Sequence, residues 1–226
     1  MAYLFADRFP PLPSLASRIG GKSDGLSAQS SGPDFDNPAQ EWTLYIQKFL
    51  GFLLLGPGLL LYGRLVQPEL SMGLGLPKGS GIWLWWLVPT TLFLVISIAR
   101  PASRVDWHFY PQVRRLSWPP HRVILNSLVW VLYLWGYEFA FRGFLFFPLV
   151  SVWGFEVALG INLGLYSLAH IFKGPGESFG AFFLGIAFCF IAYFTSSFYI
   201  PFVLHCILAI GNDLKAIEAH PQMSRR

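Results

Sequence analysis

The chain is ordered by long apolar runs separated by short polar connections. The first, Leu44 to Val66, is long enough to span the roughly 30 Å hydrocarbon core of a bilayer and carries a Gly56-Pro57 kink inside it. A second runs from Ile82 to Ala99, and a third opens near Val123, carries Glu138 and Arg142, and is expected to end at Pro148 and Gly154. Three more follow at Phe155 to Phe172, Ser178 to Phe194 and Tyr199 to Leu214. The runs are too long and too rich in Gly, Leu and Phe for barrel strands. They predict an all-α polytopic membrane bundle of about six transmembrane helices.

The polar stretches between the runs divide the chain further. Residues 1–40, rich in Pro, Ser, Gly and Asp, read as a flexible cytoplasmic tail without the apolar core of a secretory signal. Residues 41–122 hold two transmembrane helices plus an interfacial segment. In that segment Arg104, Trp107, His108, Tyr110, Arg114, Arg115 and Trp118 are punctuated by Pro101, Pro111, Pro119 and Pro120, a mixture suited to the headgroup region. Residues 123–216 form a four-helix core, and 217–226 a second cytoplasmic tail.

Composition narrows the class. Of the 226 residues, 54% are hydrophobic and only 12% charged, far below the roughly 25% charge of soluble domains, so lipid must solvate much of the surface. The net charge of +4 does not signal nucleic acid, because the basic residues are scattered among the apolar runs. On the alternating six-span layout, thirteen of the sixteen Lys and Arg, Lys48 among them, fall on one side, against Arg64 and Lys78 on the other. The positive-inside rule then puts both termini in the cytoplasm. Cys189 and Cys206 lie in apolar runs and read as packing residues.

Charges inside a span cost several kcal/mol unless paired or hydrated. Glu138 and Arg142, four residues apart, share a helix face and can pair; the guanidinium would keep the carboxylate ionised. His170 falls near the end of the fourth span, where an interfacial hydrogen-bonding role competes with a functional one. His205 sits inside the last span with no charged neighbour within a turn. Asp213, about two turns beyond His205, either lines the same cavity at another depth or is an interfacial residue beside Lys215. Together one Glu, two His and a further carboxylate make an N/O ligand set suited to a divalent metal such as zinc, with Glu138, His170 and His205 as ligands. No HExxH pattern is present, so any such site is built between helices.

The segments Tyr137-Glu-Phe-Ala-Phe-Arg-Gly-Phe144 and Tyr166-Ser-Leu-Ala-His170, followed by His205 in the final apolar run, resemble the CPBP family. These are the intramembrane metalloproteases of the CAAX-protease and bacteriocin-processing type, also called ABI. The resemblance covers roughly Leu128 to Leu214. It places Glu138 and Arg142 at the second Glu and the Arg of EExxxR, His170 at the His of FxxxH, and His205 at the third motif. Tyr137 stands where the family's first Glu would be, and Ala209 where a polar residue follows the last His. The resemblance implies that Glu138, Glu177 or Asp213 takes over the missing carboxylate role, as in a single-Glu variant of the family.

The resulting expectation is a membrane-embedded peptidase of the bacterial inner membrane, cleaving a membrane-associated protein or peptide. Glu138, Arg142, His170 and His205 are the catalytic set, supported by Lys173, Glu177 and Asp213, with water activated by a metal or by a glutamate directly. Lys173 and Glu177 form a cytoplasmic rim. The alternative is a catalytically degenerate homologue acting as scaffold or subunit of a membrane complex, with lipids and other membrane subunits as partners and no nucleic acid. A transporter is disfavoured by the lack of evident inverted repeats.

Overall fold

A computed structural model describes residues 35–79, 81–99, 101 and 109–225. The expected tail up to position 34, Arg100, the interfacial residues 102–108 and Arg226 lie outside the described residues. Among those described, the architecture is all-α, with one isolated parallel bridge between Ser117 and Ser224. Four helices are long and apolar enough to cross a membrane: α1 (Pro38–Val66), α3 (Pro120–His170), α4 (Pro175–Thr195) and α5 (Tyr199–Ala219). The helix Ile82–Ala99, here α2, matches the second apolar run. Leu61, Leu65, Leu87, Val152, Leu165 and Phe179 are exposed around the bundle, as apolar side chains facing lipid should be. The protein is a membrane helical bundle.

Local chemistry explains the breaks. α1 starts where the Asn37 side chain accepts from the N–H groups of Ala39 and Gln40, with Pro38 in the first turn where its missing N–H costs nothing. Pro57 cannot donate in mid-helix, and the chain widens into a π-turn over Leu54–Gly58 before continuing. α3 is not one rod. At Gly154 the backbone takes φ 81°, a left-handed value open to glycine, and the helix folds back on itself. Tyr137 meets His170, and Phe141 meets Tyr166, pairs that mirror each other about this position. The expected stop at Gly154 therefore holds, whereas Pro148 lies in the first turn of the α-helical stretch that resumes at Phe147, where a proline is tolerated.

The helices alternate between two ends of the bundle. At one end Val66 leads into a 67–79 loop that docks on the turn between α4 and α5, with the Lys78 N–H donating to Thr195 O (2.9 Å) and the Phe198 N–H to Gly73 O (3.1 Å). At the other end Lys215 donates to Ile98 O, Trp118 N–H to Ser224 O, and Asp36 N–H to Arg114 O. The described part of the interfacial segment, 109–119, is a non-helical strap across this second end.

Lys48 departs from its expected place. It is not a headgroup-facing cation but is 1% exposed, its ammonium 3.1 Å above the Trp130 ring.

Candidate active site

Glu138 closes the first α-helical part of α3, and the next eight residues, Phe139–Phe146, adopt π geometry before the α-helix resumes. Such widening shifts backbone pairing and is frequent at functional sites. Here Asn162, fully buried on the returning limb, donates its amide to Phe141 O at 2.7 Å and accepts from the Cys189 thiol at 3.2 Å. The hairpin and α4 are thereby fixed around the site.

Glu138 and Arg142 are both fully buried, with Glu138 Oε2 3.0 Å from Arg142 Nη1. None of the guanidinium nitrogens makes an aligned hydrogen bond. The contact is an ion pair by proximity, and the rest of the cation is covered by aromatic faces, with Cζ 3.9 Å from the Tyr166 ring centroid and 5.3 Å from that of Phe188. Gly185 on α4 leaves the room for this stack: a Cβ there would fall 2.9 Å from Leu163 and 3.2 Å from Tyr166.

The other oxygen, Glu138 Oε1, is 2.5 Å from His205 Nδ1 across the α3–α5 interface. A carboxylate only accepts, so Nδ1 carries the proton in this contact, the tautomer that in a neutral imidazole leaves the lone pair on Nε2. His170 has the same tautomer for a similar reason, since its Nδ1 lies 2.9 Å from the Tyr166 carbonyl, which also only accepts. Tyr137 packs against both imidazoles, its ring nearly perpendicular to each, with ring centroids 6.2 Å from His170 and 5.7 Å from His205. Tyr137, one of the two departures from the motif, thus packs against both histidines.

Three of the four expected catalytic residues therefore touch in one chain of contacts, Arg142–Glu138–His205, and His170 joins them through Tyr137 and Tyr166. Among the described residues, however, no three His, Cys, Asp or Glu side chains are grouped so as to hold a metal ion. Glu138 Oε1 is engaged by His205, Oε2 lies in the ion pair with Arg142, and Tyr137 packs against both imidazoles. The arrangement does not fit a three-ligand metal centre.

The supporting residues separate into two places. Lys173 and Glu177 lie 3.6 Å apart near the end of the returning limb. Tyr110, from the interfacial strap, donates to Glu177 Oε1 at 2.7 Å. Burial, and then the neighbouring Glu177 carboxylate, push the Tyr110 phenol well above its ordinary range, so it remains a donor. Asp213 is hydrogen-bonded to α3 at Trp130 and Asn126. It is 1% exposed, and its Oδ2 accepts from Trp130 Nε1 (2.6 Å) and Asn126 Nδ2 (2.9 Å), beneath Lys48 on Trp130.

Reasoning from sequence missed Tyr110, Phe188, Gly185 and the Lys48–Trp130–Asn126 group. The last carries a readable signal, a lysine inside an apolar run, which the charge count places only on the more basic side of the membrane.

No curated protein and no solved structure matches the chain. A family model described as Type II CAAX prenyl endopeptidase Rce1-like matches residues 119–210. With Glu138, Arg142, His170 and His205 all inside the matched stretch, residues 119–210 form an Rce1-like segment, consistent with the CPBP family.

Proposed function

We propose that this integral membrane protein is a CAAX-type protease whose water is activated by His205, held in its reactive tautomer by Glu138. The Rce1-like match supports the class. The observation that carries the mechanism is the 2.5 Å contact between Glu138 Oε1 and His205 Nδ1, with Arg142 on the other carboxylate oxygen. The fixed carboxylate orients the imidazole and stabilises the imidazolium that forms, a role independent of the fold it sits on.

In this mechanism the water oxygen attacks the scissile carbonyl carbon while His205 Nε2 takes one water proton, and the carbonyl π pair moves to its oxygen as an oxyanion. The tetrahedral intermediate collapses, the C–N bond breaks, and the same proton passes from His205 to the leaving amine. His170 Nε2, also an acceptor, holds the second water proton in a hydrogen bond. Arg142 keeps Glu138 anionic throughout. The side chain of His205 is 14% exposed whereas Glu138 is sealed, so the histidine meets water and the carboxylate acts through it. Lys173, Glu177 and Tyr110 form the rim, and the substrate is a membrane-associated protein or peptide.

The location follows the same proposal: a bacterial inner membrane with both termini cytoplasmic. The approach of Phe35 to His220, ring centroids 5.4 Å apart, brings the two ends of the described chain together, where Asp36 also meets Arg114 and Arg115.

One observation favours the second reading, a degenerate homologue serving as scaffold in a membrane complex: Tyr137, in place of the motif's first Glu, packs against both histidines. The test is reconstitution in proteoliposomes with a membrane extract as substrate pool. Peptides released by the wild-type chain and absent with His205→Gln support the peptidase. Identical peptide sets, together with specific co-purifying subunits, support the scaffold.

A further inference from the structure

The only two basic residues assigned by sequence to the less basic side of the membrane, Arg64 and Lys78, line one cavity. It holds about 280 Å³ and lies between the 67–79 loop and the turn joining α4 to α5. Ser71 and Ser196 add hydroxyls, and no acidic residue is among those lining it; Glu69, in the same loop, is exposed outside it.

The cavity walls are fixed. Met72 is 1% exposed, packed with Phe139 and Phe198, and the loop is tied down by the Lys78–Thr195 and Phe198–Gly73 backbone hydrogen bonds. Arg64 Nη1 donates to Pro68 O at 2.6 Å, which orients the guanidinium with one of its five N–H donors. Two basic residues and two serines lining one space, with no acidic residue among the lining, suit a phosphate.

We infer that this cavity binds the phosphate of an anionic phospholipid headgroup. The exposed apolar side chains beside it favour a lipid over a free anion: Leu65, Val66 and Leu76 are 75%, 64% and 77% exposed, an apolar surface on which acyl chains can lie next to the seated headgroup. Positive residues are ordinarily scarce on this side, so their convergence on one built cavity is selective placement and not general headgroup attraction. The inference does not depend on the peptidase mechanism.

The full-length chain, purified in detergent and offered equimolar phosphatidylglycerol and phosphatidylcholine, is examined by native mass spectrometry. The expected result is a tightly held phosphatidylglycerol adduct that falls several-fold in the Arg64→Gln/Lys78→Gln double variant, down to the phosphatidylcholine level. Both positions are exposed, so the thermal melt of the double variant should match the wild type and exclude misfolding. Equal retention of both lipids by the wild type, or an unchanged preference in the double variant, overturns the site. Displacement of the lipid by inorganic phosphate alone overturns the lipid assignment.

Discussion

Two buried polar clusters lie along the same pair of helices, and they differ in how their charges are held. In the Glu138–Arg142–His205 cluster opposite charges touch, and the chain of contacts ends on an imidazole with an exposed edge. In the Lys48–Trp130–Asn126–Asp213 cluster Lys48 rides on the indole face while Asp213 Oδ2 accepts from the indole N–H, so one aromatic residue joins the two charges. Lys48 and Asp213 are each 1% exposed, with no edge open to a substrate. The first arrangement suits chemistry. The second fastens α1, α3 and α5 together, and it explains why an intramembrane charge is not in itself a catalytic residue.

Substitutions break this comparison at graded cost. Arg142→Met, which leaves the Glu138 carboxylate without its cation in the interior, should have the largest effect, a loss of about 3–5 kcal/mol. It should appear as failure to purify as a monodisperse species or as a collapsed melting temperature in detergent. Asp213→Leu should follow at about 2–3 kcal/mol, since it strands Lys48. The Lys48→Met/Asp213→Leu double variant should be more stable than the sum of the single effects, because the two residues share one network. Peptide release by both Lys48 and Asp213 variants that remain folded should persist.

His205→Gln should reverse the pattern. Glutamine still presents a donor to Glu138, so stability should change by about 1 kcal/mol or less, while peptide release falls by about 10²-fold or more with the general base removed. Tyr110→Phe should be mildest: losing the hydrogen bond to Glu177 costs about 1 kcal/mol. It should be seen as faster amide exchange at the start of α4 with the helix core unaffected.

Much of the fold was legible because lipid imposes a simple grammar. The apolar runs at Ile82–Ala99 and from Tyr199 onward coincide with helices, and the kink at Gly56-Pro57 and the break at Gly154 follow from backbone chemistry that sequence states directly. The Glu138–Arg142 pair was equally readable, because a four-residue spacing fixes two side chains on one face. What sequence did not resolve is which face of one helix meets which face of another. The Glu138–His205 contact spans 67 positions, and the Asn126–Asp213 contact spans 87. Period and composition say that His205 and Asp213 share a helix, yet only packing puts one against Glu138 and the other against Trp130. The assembly of Glu138, His170 and His205 as metal ligands was expected from residue types alone. Packing joins only Glu138 and His205 directly, while Tyr137 packs against both His170 and His205.

The most direct measurement compares membranes from cells expressing the wild-type chain, His205→Gln and Asp213→Asn, with released peptides quantified by mass spectrometry. A Glu138-oriented His205 base predicts a peptide set present with the wild type and with Asp213→Asn and absent with His205→Gln, all three proteins being expressed at comparable levels. A peptide set that survives in His205→Gln would contradict it.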